Sequence, residues 1–457
     1  MNILDIHPQK QLFLNKEAIR VAQLIKKIEE PDVKRNRDEI QGSIAHMQAE
    51  DWSDKLIGSS IHKTLLSVSS KEILSIKECD KKNCIGYDED TYKEFKKLIF
   101  AANKEMSINS LITREKLEEA SFRWAIDFYK KLNVPDYVAF LSDFIDENTF
   151  LYKIHFPVSN LHISSFIKIG NVNFEFFTKE YFDYYQYAFL TKNPNHSDPE
   201  IFSFLRKNYQ GHVFATYTIK ASRDKAIQIA FEKCSLAIDI LKTCSNTTML
   251  PNEVLGFDID SRIKFAPRSE IISTKPDDIT EFKIDMTGDQ HPYNIDNNQW
   301  KLMNMLNLKL FSDFIQKTEG SSSELENLIT NSITRYGIAL SHRDLHQRVV
   351  ELYTILESLL LNDESSPIID SVAKYLSMLV EKTKENRYKC AKLIRSMYKV
   401  RSSLIHHAKK INFEVDDLRD LQLYVVNLLI ILISKSDLHK YKRSILNEID
   451  DAIMGAY

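Results

Sequence analysis

From residue 323 to its end the chain keeps helical apolar spacing, and this constrains its fold more than any other feature. Leu345, Val349, Leu352, Leu356 and Leu359 fall at i, i+4, i+7, i+11 and i+14, the pattern of one apolar helix face. Helices are expected over about 323–341, 344–362, 367–383, 387–411, 415–434 and 437–453. Ser366-Pro367 starts the third with proline near the first turn. Short connections between helices of this length make neighbours antiparallel, so the segment is expected to form an all-α bundle. Thr318-Glu319-Gly320-Ser321-Ser322-Ser323 precedes it, the clearest break in a chain with only ten glycines.

Upstream the period varies. Residues 9–49 read as one or two amphipathic helices broken near Pro31, and 51–91 as polar, Ser-rich short elements and loops. Helical spacing returns from Thr91 to Asp146, with Leu117, Phe122, Ile126 and Tyr129 on one face. Leu151 to Phe177 leans toward strands separated by Pro157 and Gly170, and His212 to Lys220 toward another. A helix is expected from Ser222 to about Cys244, short strands within 253–293, and a last helix over about 297–317. The fold class is therefore an α+β N-terminal region followed by an all-α bundle. The expected divisions are 1–147, mainly helical; 148–318, α+β and suited to a sensor or regulatory role; and 323–457, the bundle.

Composition narrows the function classes. With 43% apolar and 27% charged residues the chain is an ordinary globular protein. Its net charge of -3 means that any polyanion site must be local. The start, Met1 to Pro8, lacks a basic segment and long apolar core, and the apolar run Val425–Ile433 is too short to span a bilayer. A cytoplasmic location without membrane contact is expected. The five cysteines form no metal-binding pattern, and no metal or cofactor is expected. Cys79 and Cys84 read as reduced thiols in a loop. Cys234 and Cys244 stand roughly 15 Å apart along one helix, so no disulfide framework is expected.

One stretch carries chemistry. Tyr398-Lys399-Val400-Arg401-Ser402-Ser403-Leu404-Ile405-His406-His407 puts a permanently charged guanidinium near an imidazole that exchanges protons at neutral pH. It lies where Lys382, Lys384, Arg387, Lys389, Lys392, Arg395, Lys399, Arg401, Lys409 and Lys410 are opposed only by Glu385, a local positive field suited to a phosphate backbone. RNA brings its own nucleophile, the 2′-hydroxyl, so cleavage needs only proton transfer and stabilisation of charge on phosphorus. Five residues along a helix turn through about 140°, so Arg401 and His406 do not share a face, whereas Ser402 and His406 do. A distorted helix, a reaching arginine, or a twofold axis joining two chains would each bring arginine and histidine to one phosphate.

Residues 335–433 resemble the ApeA-like branch of the HEPN superfamily. The matched stretches are Leu352 to Leu360, with Glu357 in the "LE-x-L" helix, then Leu393 to Tyr398, then Arg401-Ser402-Ser403-Leu404-Ile405-His406. Phe156 to Leu161 and Ile167 to Gly170 also resemble the mixed domain that precedes such bundles. The resemblance implies a metal-independent endoribonuclease of antiphage, abortive-infection or toxin type, homodimeric through the HEPN bundle. Its partners would be RNA, such as tRNA or phage transcripts, and a phage-derived trigger. Arg401 and His406 would be the catalytic pair, Ser402 the polar neighbour, and Glu357 the residue that orients Arg401. Lys399, Arg395, Lys409, Lys410 and His407 would contact RNA. The family often has glycine after its histidine, where this chain has His407.

Blander readings stand beside these. Glu357 would serve equally as a buried carboxylate paired to a structural arginine, and His407 as a surface histidine. His342, His346 and His439 receive no role. Leu421, Val425, Leu428, Leu429 and Leu432 form a core face, while Val426, Ile430, Ile431 and Ile433 would suit burial by a partner chain. A non-catalytic RNA- or nucleotide-binding bundle and a dimerisation scaffold are the alternatives.

Overall fold

The computed structural model describes residues 4–28, 60–65, 73–80, 83–192, 199–262, 268–275, 278–285, 292–318, 322–361 and 368–455. The break expected near Pro31, the seam residues 319–321 and the helix start at Ser366-Pro367 lie outside them. The chain divides into two compact units, residues 1–152 with 219–227, and residues 153–218 with 228–457. The second takes in both sides of the expected seam.

The first unit carries α1 (Pro8–Ala22), β1 (Lys26–Ile28), β2 (Ser60–Leu65), β3 (Ile73–Asp80), β4 (Asn83–Tyr87), α2 (Glu89–Asn103), α3 (Met106–Asn109), α4 (Arg114–Tyr129) and α5 (Tyr137–Asn148). Its strands form an antiparallel sheet ordered β1-β4-β3-β2. Leu14, Phe95, Leu117, Phe122, Trp124 and Leu141 anchor one continuous core. The short elements expected in the polar stretch 51–91 are three strands of this sheet. The expectation for the cysteines is corrected. Cys79 and Cys84 lie directly opposite one another across the β3–β4 hairpin, and Cys84 is disulfide-bonded rather than a reduced loop thiol.

Downstream come β5 (Phe150–Ser159), β6 (Leu161–Ile163), β7 (Ile167–Ile169), β8 (Val172–Phe176), α6 (Lys179–Lys192), α7 (Pro199–Tyr209), β9 (Val213–Ala221) and α8 (Arg223–Thr243). They are followed by β10 (Asp258–Ile259), β11 (Arg268–Lys275), β12 (Asp278–Asp285), β13 (Tyr293–Ile295), α9 (Asn297–Met305) and α10 (Leu308–Lys317). A five-stranded sheet runs β10-β5-β9-β8-β7. The single helix expected over 297–317 is two, because Asn307 takes a left-handed conformation (φ 63°) between α9 and α10.

The C-terminal part is helical, as the spacing indicates: α11 (Glu324–Leu340), α12 (Leu345–Leu360), α13 (Ile368–Val380), α14 (Lys384–His407), α15 (Val415–Lys435) and α16 (Lys442–Met454). Starts are chemically marked. Ser323 and Glu326 form a capping box on α11, Asp344 caps α12, and Thr383 caps α14. Leu352, Leu356, Leu376, Ile394, Met397, Leu421, Val425 and Leu428 are fully buried.

A buried polar seam ties these helices to the α+β part of the same unit. Arg348 of α12, wholly buried, donates to the carbonyls of Pro251 (2.6 Å), Glu253 (3.0 Å) and His342 (2.9 Å). Gln422 of α15, also buried, donates to the carbonyls of Thr247 and Thr248, both at 3.0 Å. Gly337 of α11 is needed where α11 meets α8, since a Cβ there would stand 2.6 Å from a carboxylate oxygen of Asp239.

Candidate active site

Cys390, Ile394, Met397 and Val400 form the buried stripe of α14, and Arg401 lies at its edge. Its Nη2 donates to Oε2 of Glu357 on α12 at 3.1 Å, with both side chains less than one-fifth exposed. Arg401 Nε and Glu357 Oε1, the other leg of a side-on fork, are buried without a hydrogen bond. Nη1 makes no hydrogen bond among the described residues. The guanidinium carbon stands 5.6 Å from the Tyr398 ring centroid, and Tyr398 meets Tyr353 edge-on at 5.7 Å. The Tyr353 hydroxyl donates to the Ile394 carbonyl. Burial raises the Glu357 pKa above its ordinary value, against the pull of Arg401.

His406 and His407 are exposed in the last turn of α14, with ring centroids 6.5 Å apart. Ser402 is half-buried. Ala408 ends the helix at φ 51°, a left-handed conformation that disfavours a Cβ. Within one chain Arg401 is turned to α12, while His406 projects into solvent from the helix end.

Lys399 and Lys409 are exposed. Two other expected RNA contacts are held by carboxylates: Arg395 by Asp370 at 3.1 Å and Lys410 by Asp344 at 2.7 Å. Hydrogen bonding by Lys410 holds Asp344 below the usual carboxylate range. Val426 and Ile433 are buried inside the chain and Ile430 and Ile431 are half-buried, so the apolar excess expected for a partner is largely internal.

Three histidines outside the motif have definite environments. His346 Nε2 lies 3.0 Å from the Ile411 carbonyl and Nδ1 3.4 Å from Asp344, with its ring on Phe413. His439 bridges Ser444 Oγ and Glu448 Oε1, each at 3.0 Å, a Ser-His-Glu arrangement. There the Ser444 hydroxyl donates to the Tyr441 carbonyl at 2.6 Å, so its proton is engaged and the group reads as a clamp holding the α15–α16 connection to α16. His155, between Thr216 and Tyr185 hydroxyls at 3.0 Å each, is driven down to about 4, first by burial and then by Lys153. Sequence spacing signals little of this, because the Ile411 and Phe413 partners of His346 and the Thr216 and Tyr185 partners of His155 are distant in the chain.

The chain matches no protein-family model, no curated protein and no solved structure.

Proposed function

We propose that this chain is a metal-independent endoribonuclease with a HEPN-type bundle, acting in antiphage defence or toxin-like growth arrest. The observation that carries the reading is the Glu357–Arg401 pair on facing helices, set within the R-S-x-x-x-H frame that ends at exposed His406. Glu357 holds one edge of the guanidinium, leaving Nη1 for a phosphoryl oxygen. An exposed imidazole takes the 2′-hydroxyl proton or returns one to the leaving 5′-oxygen, a contribution of roughly 10²–10⁴ in rate. Because Arg401 and His406 diverge within one chain, the reading calls for a twofold pairing that sets the histidine of one bundle beside the arginine of the other. That divergence also favours the second reading, a bundle that binds RNA or a nucleotide without cutting it.

Purified protein incubated with RNA in EDTA is expected to leave 2′,3′-cyclic phosphate ends. His406→Ala is expected to abolish cleavage while melting as the wild type does. Cleavage that persists in this variant rejects the catalytic assignment. Absence of cleavage by the wild type, with RNA binding that depends on Arg401, supports the second reading.

A further inference from the structure

We infer that Asp344 and His346, at the start of α12, are positioning residues for His406. The inference rests on the endoribonuclease reading and extends it to groups outside the motif. Helix α12 holds the chain on both sides of His406. On one side Glu357 takes Arg401. On the other Asp344 takes the Lys410 ammonium at 2.7 Å, and His346 takes the Ile411 carbonyl at 3.0 Å with its ring 5.1 Å from that of Phe413.

The segment needs such a hold. Ala408 carries a side chain in the left-handed region, a conformation that persists only where its surroundings over-determine it. The Ala408 and Lys409 amides close the cap on the carbonyls of Leu404 and Ser403 at 3.0 and 3.2 Å. These bonds span the turn that carries His406 and His407. Release of residues 410–411 frees Ala408 to leave its strained well, and the last turn unwinds with it. The imidazole then loses a fixed direction toward the phosphodiester, and angstrom-scale misplacement of a reacting group costs up to about 10² in rate.

Asp344 has a second duty that makes the test clean. One of its oxygens accepts from the His346 amide at 3.0 Å and caps α12. Asp344→Asn keeps a good cap while removing the charge that holds Lys410. This variant is expected to lower kcat about tenfold with KM within about twofold, and to speed amide exchange at Ala408 and Lys409. Lys410→Met is expected to speed amide exchange at Ala408 and Lys409 as Asp344→Asn does, and the double variant to speed it no further, since the two remove one contact. His346→Ala is expected to lower kcat in the same direction. If wild type cleaves RNA and Asp344→Asn matches it in kcat, the positioning role is overturned and the nuclease reading stands. If the exchange rates do not change, or the two substitutions multiply in exchange, the clamp does not hold the turn and the inference fails on structure alone. If the wild type does not cleave RNA at all, the nuclease reading fails and takes this inference with it.

Discussion

At the scale of single residues, His155 shows what burial does to a titratable group. Its imidazole is enclosed by Thr216, Tyr185 and Phe177, and Lys153 adds a like-charge penalty to the desolvation of the cation. The folded-state pKa of about 4 lies below the ordinary 6.5. A depressed pKa of this kind contributes stability that is fully present above 6.5 and is lost as pH falls toward 4. The loss amounts to about 3 kcal/mol over that window. Chemical denaturation of wild type and His155→Gln at stepped pH is expected to show the wild type falling more steeply between 6.5 and 4; parallel curves would mean that the imidazole is not held neutral.

At the scale of elements, the α12–α14 contact carries both halves of the candidate site. Glu357 keeps its carboxylate where burial disfavours the charge, so the pair serves stability poorly. Glu357→Gln retains an acceptor for Arg401 and removes the charge. It is expected to shift Tm by no more than about 2 °C, in either direction, while reducing RNA cleavage at least about tenfold. A large loss of Tm with activity per folded molecule unchanged would assign the pair to structure. Much at this scale was legible in the sequence. The bundle helices are long and strongly periodic, and α11, α12 and α14 start on Ser, Asp and Thr caps. The strands between residues 60 and 87 were not, because they are short and polar and are fixed by one another rather than by an alternating pattern. Helices α6 and α7 leave no clean apolar stripe in the sequence because their aromatic residues lie all round: Tyr184, Tyr187 and Phe204 are exposed, while Phe182 is buried. Among the site residues, the facing of Glu357 and Arg401 was implied only by the family resemblance, not by local pattern. The engagement of Lys410 by Asp344 and of Arg395 by Asp370 could not, since tertiary ion pairs leave no local mark.

At the scale of the molecule, Arg348 and Gln422 link the C-terminal helices to residues 247–253 of the same unit. A guanidinium wholly out of water, with backbone carbonyls as its main acceptors, cannot tolerate the loss of those acceptors; burial already draws its pKa down to about 10. Each buried partner removed costs roughly 1–3 kcal/mol, and several removed together approach the margin on which a domain survives. A fragment beginning at residue 322 is therefore expected to show no cooperative melting transition by circular dichroism, and a sharp one would refute this dependence. The break in composition near residue 320 invites dissection there, yet a scalpel placed at that point would sever a cation from its solvation shell. Ribonuclease assays consequently belong with the uncut polypeptide, and silence from a trimmed version would report on its folding rather than on its chemistry.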